Sequence, residues 1–242
     1  MAAITPEQLA KWLSELLRDR LKSVLLYGSA AAGDFVEGAS NYNLLVIADP
    51  LGEAELKAVA APVAAWDRAG HPAPMLFTPE QLKSSLDAFP IEMLDIQQSR
   101  RVLFGADALA GMQIEPIHLR LAVERELTGK LLSLRGKYAL AAENPRAVQD
   151  LMLGSLSTIL VLFRAALRLY QDEVPDTKLE AMRELAKHIP FDPQPFERLF
   201  AAKRESAKRG GEAPVSFSAY LAAIERVVAA INQFNHPQAS KP

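Results

Sequence analysis

Two short groups of polar residues stand at the ends of neighbouring apolar runs, where their side chains could carry chemistry. The first run, Ser23 to Tyr27, is followed by Gly28 and Ser29, and the second run begins at Asn43, with Asn41 two residues before it. A glycine permits a tight turn, and each asparagine offers a neutral carbonyl oxygen as a ligand. The same pattern also fits two buried strands joined by a glycine-containing turn, with the asparagines capping the second strand.

The whole stretch resembles the nucleotidyltransferase superfamily, of the polymerase-beta-like and kanamycin-nucleotidyltransferase-like type. Members of that family have a strand, a Gly-Ser turn, a linker and a second strand that opens with Asp-x-Asp. The linker of this chain keeps Gly33, Asp34 and Ser40 of the family pattern, whereas Ala32 stands where members often have an arginine. The resemblance covers about residues 22 to 105.

The resemblance implies roles for the polar positions. Gly28, Ser29 and Ser40 are candidates for binding the phosphates of a nucleoside triphosphate, because glycine lets the backbone approach and N–H and hydroxyl groups donate to phosphate oxygens. The family's two aspartates hold divalent metal for a two-metal displacement, but Asn41 and Asn43 occupy those positions here. Each lost carboxylate removes an interaction of about 4 kcal/mol at about 4 Å and an effective dielectric of about 20. Even at half that value, the two losses correspond to roughly three decades in rate or affinity.

The family's third carboxylate, which normally lies on a later strand, is also missing from the corresponding stretch Ala73 to Phe77. Asp95 lies in a segment that we predict to be a short helix or turn. Asp34, Glu37 and Asp49 are close enough in sequence to be considered as substitutes, and Asp34 is the leading one. We expect that none of them restores the site, so no metal and no cofactor are expected. Mg²⁺ is expected only if transfer activity survives.

Two further pairs of polar residues lie in the second half of the chain. Arg183 and His188 have a spacing that resembles the ribonuclease motif of HEPN-type helical domains, in which arginine stabilises phosphate charge and histidine helps proton transfer. The alternative, which we favour, is a histidine that interacts with the C-terminal dipole of its helix. Arg164 and Arg168, one helical turn apart, could bind an anion, but we favour snorkelling or pairing with acids of a neighbouring helix.

The composition argues against binding to nucleic acid. The formal net charge is -2, and the basic run from Lys203 to Gly210 lacks the aromatic residues of a stacking platform, so we predict a solvated loop there. His71, His118 and His236 show no metal-ligand spacing. The chain contains no cysteine, which excludes disulfides and thiolate metal sites.

The first half of the chain carries signals for a mixed α/β fold. Thr5-Pro6-Glu7-Gln8 and Thr78-Pro79-Glu80-Gln81 both have the pattern of a capping box with proline at the first helical position. Between and after these helix starts we predict strands at 23–27, 43–48, 73–77 and 101–104, and a helix at 53–66.

From Pro116 onward the chain has few strand signals. The predicted helices run at 117–142, 147–170, 177–188, 195–203 and 216–234. We therefore predict an α/β (α+β) nucleotidyltransferase-like domain with a short mixed sheet over residues 1–112, and an all-α helical bundle over residues 113–242.

These observations favour a degenerate nucleotidyltransferase, a pseudoenzyme that has lost metal-dependent transfer and binds an unknown small molecule, a nucleoside triphosphate or a partner protein at the old site. One alternative is an active nucleotidyltransferase that modifies a small molecule or a protein hydroxyl. The others are an interaction protein, for example a homodimer through its helical half, and a HEPN-like ribonuclease. No signal peptide is apparent and the most apolar stretch, 159–163, is too short to span a bilayer, so we expect a cytoplasmic protein without a membrane partner.

Overall fold

The computed structural model describes residues 4–32, 41–206 and 215–234. The chain divides into two units, Met1–Ile114 and Glu115–Pro242. The sequence-based division at residue 112 lies close to this boundary.

The elements of the first unit alternate between helices and strands. In chain order they are α1 (Pro6–Leu17), a 3₁₀ turn (Arg18–Arg20), β1 (Leu21–Tyr27), α2 (Ser29–Ala32), β2 (Asn43–Ala48), α3 (Glu53–Arg68), β3 (Met75–Phe77), α4 (Pro79–Ser84), α5 (Pro90–Gln98) and β4 (Arg100–Gly105). The strands predicted at 23–27, 43–48, 73–77 and 101–104 all form, with ends that differ by at most two residues. The segment of Asp95 is helical, in α5.

The four strands form one mixed sheet in the order β3-β2-β1-β4. Strand β1 pairs antiparallel with both β2 and β4, whereas β3 runs parallel to β2. Because antiparallel partners lie directly opposite each other, the end of β1 faces the start of β2, and Tyr27 pairs with Asn43. The sheet therefore brings together the two polar groups identified in the sequence.

Alternation of side chains along the strands gives the sheet two apolar faces. One face, the α1/α3 face, packs against helices α1 and α3, and its fully buried members include Leu9, Leu13, Val24, Val46 and Trp66. The opposite face, the α5 face, packs against α4, α5 and the segment after β4 through Leu25, Leu45, Ile47, Leu82, Met93, Ile96 and Leu109. Both sides of β1 and β2 are therefore buried, which explains why these strands are continuous apolar runs.

The capping signals in the sequence are used as predicted. Thr5 accepts a hydrogen bond from the Gln8 backbone N–H at 3.2 Å, and the Gln8 side chain accepts one from the Thr5 N–H at 2.9 Å. Thr78 and Gln81 make the same reciprocal pair at 3.1 Å in each direction. Each box satisfies donors that a helix start leaves without intrahelical partners.

The second unit is helical in its described part. Its elements are α6 (Pro116–Ala141), α7 (Pro145–Leu167), α8 (Lys178–His188), α9 (Gln194–Ser206) and α10 (Phe217–Gln233). Its core includes an aromatic group in which Phe163 packs on Phe196 with ring centroids 5.2 Å apart, and Phe196 packs on Tyr220 at 4.9 Å. The Tyr220 hydroxyl lies 3.0 Å from the Ser155 hydroxyl, so the polar atom of this buried ring has a hydrogen-bond partner.

Helix α7 is long and apolar enough to cross a membrane by length and composition alone. More than half of its most apolar window is buried inside the protein, and the core helix of a globular protein passes the same test. Its residues Leu156, Ile159, Leu160 and Phe163 are almost inaccessible to solvent. We therefore interpret α7 as the central helix of the second unit.

One prediction for the second half was wrong. The basic run was assigned to a loop, but Lys203 to Ser206 form the last turn of α9. Lys203 donates a hydrogen bond to the Ser157 hydroxyl of α7 at 3.1 Å, and such a contact between helices is invisible in the local composition. The remainder of the run, residues 207–210, lies outside the described residues.

Candidate functional site

The end of strand β1 turns sharply at Gly28. This residue has a φ of +79°, a conformation that glycine adopts readily and other residues rarely do. Its N–H donates a hydrogen bond to the Ser99 carbonyl at 3.1 Å, and its carbonyl accepts one from the Ala31 N–H at 2.9 Å. Ser29 begins the four-residue helix α2, which the sequence analysis did not predict. The Gly-Ser pair thus lies at a strand-to-helix turn.

The start of strand β2 lies directly beside this turn. A Cβ atom built on Gly28 would lie 3.2 Å from the Asn43 side-chain nitrogen, so a larger residue at this position would require the Asn43 side chain to shift slightly. Asn43 is partly buried, and Asn41, two residues before it, is exposed. Gly28, a candidate for phosphate binding, therefore lies against Asn43, which occupies a metal-binding position of the family pattern.

Three side chains form a row across the sheet at this end. Arg100 on β4 pairs with Tyr27 on β1, and Tyr27 pairs with Asn43 on β2. Directly paired residues of antiparallel strands point to the same side of a sheet. Because Tyr27 packs against the α5 face, the row lies on that side. The sequence analysis identified Asn43 but neither Tyr27 nor Arg100.

The charge of Arg100 is already matched by a carboxylate. Its guanidinium donates hydrogen bonds to Asp107 at 2.9 and 3.0 Å from Nε and at 2.7 Å from Nη2, and it also donates to the Gln97 carbonyl. This hydrogen bonding holds the pKa of Asp107 below its ordinary value, although partial burial acts in the opposite direction. Asp107 is thus a paired anion, and a metal ion would have to displace Arg100 to use it.

Tyr27, the middle residue of the row, is partly buried. The Tyr27 hydroxyl donates to the thioether sulfur of Met75, the first residue of β3, at 3.3 Å. Burial raises the pKa of Tyr27, and the negative charge of Glu92 on α5 raises it further. Glu92 is exposed and is a carboxylate close to the site that the sequence analysis did not identify. Its sequence position gives no signal, because α5 reaches the site only through packing.

These donors do not suit a Mg²⁺ ion. Mg²⁺ prefers hard, anionic oxygen ligands, whereas the row offers an amide and a phenol beside the paired Arg100. The neighbouring Met75 offers a thioether, which selects soft metals. Strand β3 carries no acid. Across residues 4–32, 41–206 and 215–234, no group of three or more histidine, aspartate or glutamate side chains converges where it could hold a metal ion.

Four of the remaining candidate residues lie in the linker, and the fifth, Asp49, follows strand β2. Asp34, Glu37 and Ser40, together with Gly33, lie outside the described residues. Asp49 was considered as a substitute acid and was not expected to restore the site. Asp49 follows the last residue of β2, and its N–H donates to the Arg20 carbonyl at 2.9 Å. Six strand residues of about 3.3 Å each place it roughly 20 Å from Asn43.

The residues of the ribonuclease-like motif have structural partners. Arg183 forms an ion pair with Glu197 of α9 at 2.6 Å. His188, the last residue of α8, stacks on Tyr170 with ring centroids 5.1 Å apart and lies 3.1 Å from the Gln171 side-chain oxygen. Five residues along a helix correspond to a rotation of about 140°, so the two side chains leave α8 in different directions.

Arg164 of the arginine pair on α7 is buried and contacts a backbone carbonyl, a partner that was not among those predicted. Arg164 is only 9% exposed, and its guanidinium donates to the Asp176 carbonyl at 2.9 Å. Arg168 caps the C-terminal end of the same helix. A buried guanidinium that holds the backbone after α7 explains Arg164 without an anionic ligand.

The comparisons with known proteins agree with the fold. No family model matches the chain, and no curated protein matches it. Among solved structures, the chain is similar to the crystal structure of spectinomycin adenyltransferase AAD(9) from Enterococcus faecialis with ATP and spectinomycin. The TM-score is 0.58 at 12% sequence identity, and the alignment covers 94% of this chain and 98% of that chain. The predicted fold class, a nucleotidyltransferase-like α/β domain followed by a helical bundle, is confirmed.

Proposed function

We propose that this nucleotidyltransferase-like chain is a degenerate member that does not carry out metal-dependent nucleotidyl transfer and that binds a small molecule, a nucleoside triphosphate or a partner protein at the old site. The observation that supports this proposal is the row Arg100–Tyr27–Asn43 with Met75 beside it. The ionised side chain of the row, Arg100, is neutralised by Asp107. Because the side chains of the row include no carboxylate, the row lacks the charge that would hold Mg²⁺ against a triphosphate.

The packing of Asn43 supports the same proposal. The Asn43 amide fits beside Gly28. Its side-chain nitrogen lies 3.2 Å from the point where a Cβ atom would stand if Gly28 were replaced by another residue. A carboxylate of the same shape would also fit, because aspartate and asparagine differ little in volume. The framework of the site is therefore retained, and the change from the family pattern is a change of charge.

The experiment measures binding and transfer with and without restored charge. Isothermal titration calorimetry of the wild-type protein with Mg²⁺ and each nucleoside triphosphate is expected to show no metal-dependent binding in the micromolar range. The double variant Asn41→Asp/Asn43→Asp is expected to bind the Mg²⁺-nucleotide at least about tenfold more tightly than the wild type, since even a third of the lost Coulomb interaction exceeds 1.4 kcal/mol.

A matched control separates site charge from net charge. Asn232→Asp/Gln233→Glu adds the same two negative charges at exposed positions at the end of α10 and is expected to leave nucleotide binding unchanged. Micromolar Mg²⁺-dependent binding or transfer by the wild type would show that the proposal is wrong. Equal gains in the double variant and the control would show that the site geometry has been lost as well.

A second candidate is an active nucleotidyltransferase that modifies a small molecule. The observation that favours it is the similarity over both units to a spectinomycin adenyltransferase, of which 98% is covered. ATP and spectinomycin are therefore the first pair to test, with mass spectrometry to detect an adenylated product. This candidate predicts activity that is lost in Ser29→Ala and in Asp34→Asn, and activity that both variants retain would contradict it.

A third candidate is an interaction protein that forms a homodimer through its helical unit. Helix α6 exposes several large apolar side chains, and Leu132 and Leu140 are 60% and 91% exposed. Leu132 and Leu140 are eight residues apart, so they lie close to the same side of the helix and could contact a second copy. Multi-angle light scattering is expected to give twice the chain mass of 26.5 kDa if this candidate is correct, and the mass of a monomer in Leu132→Glu/Leu140→Glu.

A further inference from the structure

Three aromatic rings meet at the head of strand β2. The His71 ring lies 4.3 Å from the Trp66 ring and 5.0 Å from the Tyr42 ring, measured between centroids, and the Tyr42 and Trp66 centroids are 6.2 Å apart. Trp66 belongs to helix α3 and is completely buried. Tyr42 is the residue between Asn41 and Asn43. The cluster therefore connects the candidate site to the core of the first unit.

The end of helix α3 builds this cluster. Gly70 has a φ of +90°, which turns the chain back on the helix, and its N–H donates to the Asp67 carbonyl at 2.9 Å. After the turn, the Trp66 indole N–H donates to the Pro72 carbonyl at 2.9 Å. These two bonds hold the segment around His71 across the indole. The position of the imidazole is thus set by backbone geometry rather than by an ion pair.

His71 is arranged as a neutral side chain. Its Nδ1 atom is buried and has no hydrogen-bond partner among the described residues, and burial lowers the pKa of His71. A neutral imidazole can place its proton on Nε2 and leave a lone pair at Nδ1, at a modest cost. A protonated imidazole would place an N–H at Nδ1, where a buried donor needs an acceptor.

Among the described residues, no carboxylate offsets the burial of His71. The titratable group that faces it from the head of β2 is the Tyr42 phenol. On α3, the adjacent charged residues Asp67 and Arg68 are both exposed to solvent. The face of Trp66 attracts a cation only weakly, whereas a buried charged donor without an acceptor loses more than this attraction supplies. Protonation therefore weakens the cluster on balance.

We propose that the Tyr42–Trp66–His71 cluster is a pH-sensitive contact, which holds the Asn41–Asn43 segment in place when His71 is neutral and releases it when His71 is protonated. The segment depends on this contact because Tyr42 is the side chain that anchors it to the α1/α3 face, through Trp66. Any ligand that uses Asn41 or Asn43 would then bind less tightly at acidic pH, whatever its identity.

The direction of the pH effect follows from linkage. When the pKa of a histidine is lower in the folded state than in the unfolded chain, the unfolded chain binds more protons between the two values. The contribution of the cluster to stability is therefore fully present above the unfolded value, about 6.5. It decreases as the pH falls from there to the folded value.

The test uses tryptophan fluorescence and amide hydrogen exchange. The chain contains two tryptophans, Trp12 and Trp66, so Trp12→Phe leaves Trp66 as the reporter. We expect its fluorescence to change between pH 8 and pH 5 with a midpoint below about 6.5. We also expect the amides of residues 42–44 to exchange several-fold faster, relative to intrinsic rates, on the acidic side of the midpoint, because protonation weakens the contact that holds this segment.

Two variants complete the design. His71→Phe retains a ring but cannot be protonated, so both transitions should disappear, whereas His118→Gln, a histidine of α6, should leave both in place. Because His71→Phe could fold poorly, the titration of the wild-type His71 ring is also followed directly by nuclear magnetic resonance. A midpoint at or above about 6.5, or exchange of residues 42–44 that does not respond to protonation of His71, would overturn the proposal.

Discussion

The two units of this protein use glycine in opposite ways. In the first unit, Gly28, Gly70, Gly105 and Gly111 all have positive φ values and lie at turns that end strands, helices or loops. In the second unit, Gly129, Gly136 and Gly154 lie inside helices, and a Cβ atom there would meet nothing within 4 Å. The first unit therefore depends on special backbone conformations that bring distant strands together, whereas the second depends on helix packing.

The polar chemistry follows the same division. In the first unit, strand pairing gathers Arg100, Tyr27 and Asn43 from three separate segments. In the second unit, the conspicuous polar residues are each held by a neighbour, as with Arg164 and the Asp176 carbonyl, or Arg183 and Glu197. The candidate site therefore lies in the unit whose backbone tolerates fewer substitutions. Substitutions in both units test this difference.

The largest effect is expected for Gly105→Ala at the end of strand β4. Gly105 has a φ of +71°, and a Cβ atom there would overlap the Lys22 carbonyl oxygen and lie 2.9 Å from its carbon. We expect a loss of at least about 3 kcal/mol in the free energy of unfolding. Urea titration followed by tryptophan fluorescence measures it, because both tryptophans lie in the first unit. Gly111→Ala, with a similar φ of +73° and open space, is the control and should cost only about 1–2 kcal/mol.

The second effect concerns Tyr220 in the helical core. Burial raises the pKa of Tyr220 to about 12 from an ordinary value of 10.0, against a smaller lowering by the Ser155 hydrogen bond. Because the unfolded chain loses this proton first, stability should fall by about 3 kcal/mol as the pH rises from 10 to 12. Tyr220→Phe should lose about 1 kcal/mol at neutral pH and lack this alkaline decrease.

Urea titrations at several pH values, followed by far-ultraviolet circular dichroism, compare Tyr220→Phe with the wild type. Ser155→Ala is the matched variant, since it keeps the phenol but removes the hydrogen bond that lowers the pKa. It should show a decrease at least as steep as that of the wild type. Parallel stability curves for the wild type and Tyr220→Phe would contradict the assignment.

A smaller effect is expected from helix capping, which both units use. Thr5→Ala at the start of α1 removes the acceptor of the Gln8 N–H, and Thr177→Ala at the start of α8 removes the acceptor of the Glu180 N–H. Each should lower stability by about 1 kcal/mol. Thr5→Ser and Thr177→Ser keep the hydroxyl and should stay near the wild type in thermal unfolding. A loss of stability in only one of the two alanine variants would show that helix capping contributes differently in the two units.

The smallest effect has the opposite sign. Gly129→Ala on helix α6 adds a methyl group into open space and replaces a poor helix former by the best one. We expect a gain of about 0.5–1 kcal/mol, measured by urea titration with circular dichroism. Gly136→Ala, two turns further along α6, should behave in the same way. A loss in either variant would show that the exposed side of α6 is covered in solution, which the homodimer candidate requires.

Much of the fold could be predicted from the sequence because its signals are local. The capping boxes at Thr5 and Thr78, the apolar runs of β1 and β2, and the periodic segments of α6 to α10 all appear where they were expected. The errors occurred where a contact between distant segments overrides local preference. Helix α9 continues to Ser206 through a basic stretch that composition alone assigned to a loop.

The candidate site was predictable only in part. The resemblance gave Gly28 and Asn43 roles in the same site, and the structure has the two residues side by side. It could not identify Arg100, which reaches the row by pairing with a strand more than seventy residues earlier. Asp49 is close to Asn43 in sequence but not in space, because the whole of strand β2 lies between them.

The sequence by itself determined the order of the elements, the two-part organisation and the absence of charge at Asn41 and Asn43, since these depend on residue type and short spacing. Only the tertiary structure decided which side chains share the site with Asn43: Tyr27, Met75 and an Arg100 already neutralised by Asp107. It also placed His71 against Tyr42 through the turn at Gly70. The physical reason is that strand pairing and packing join residues without regard to their distance along the chain.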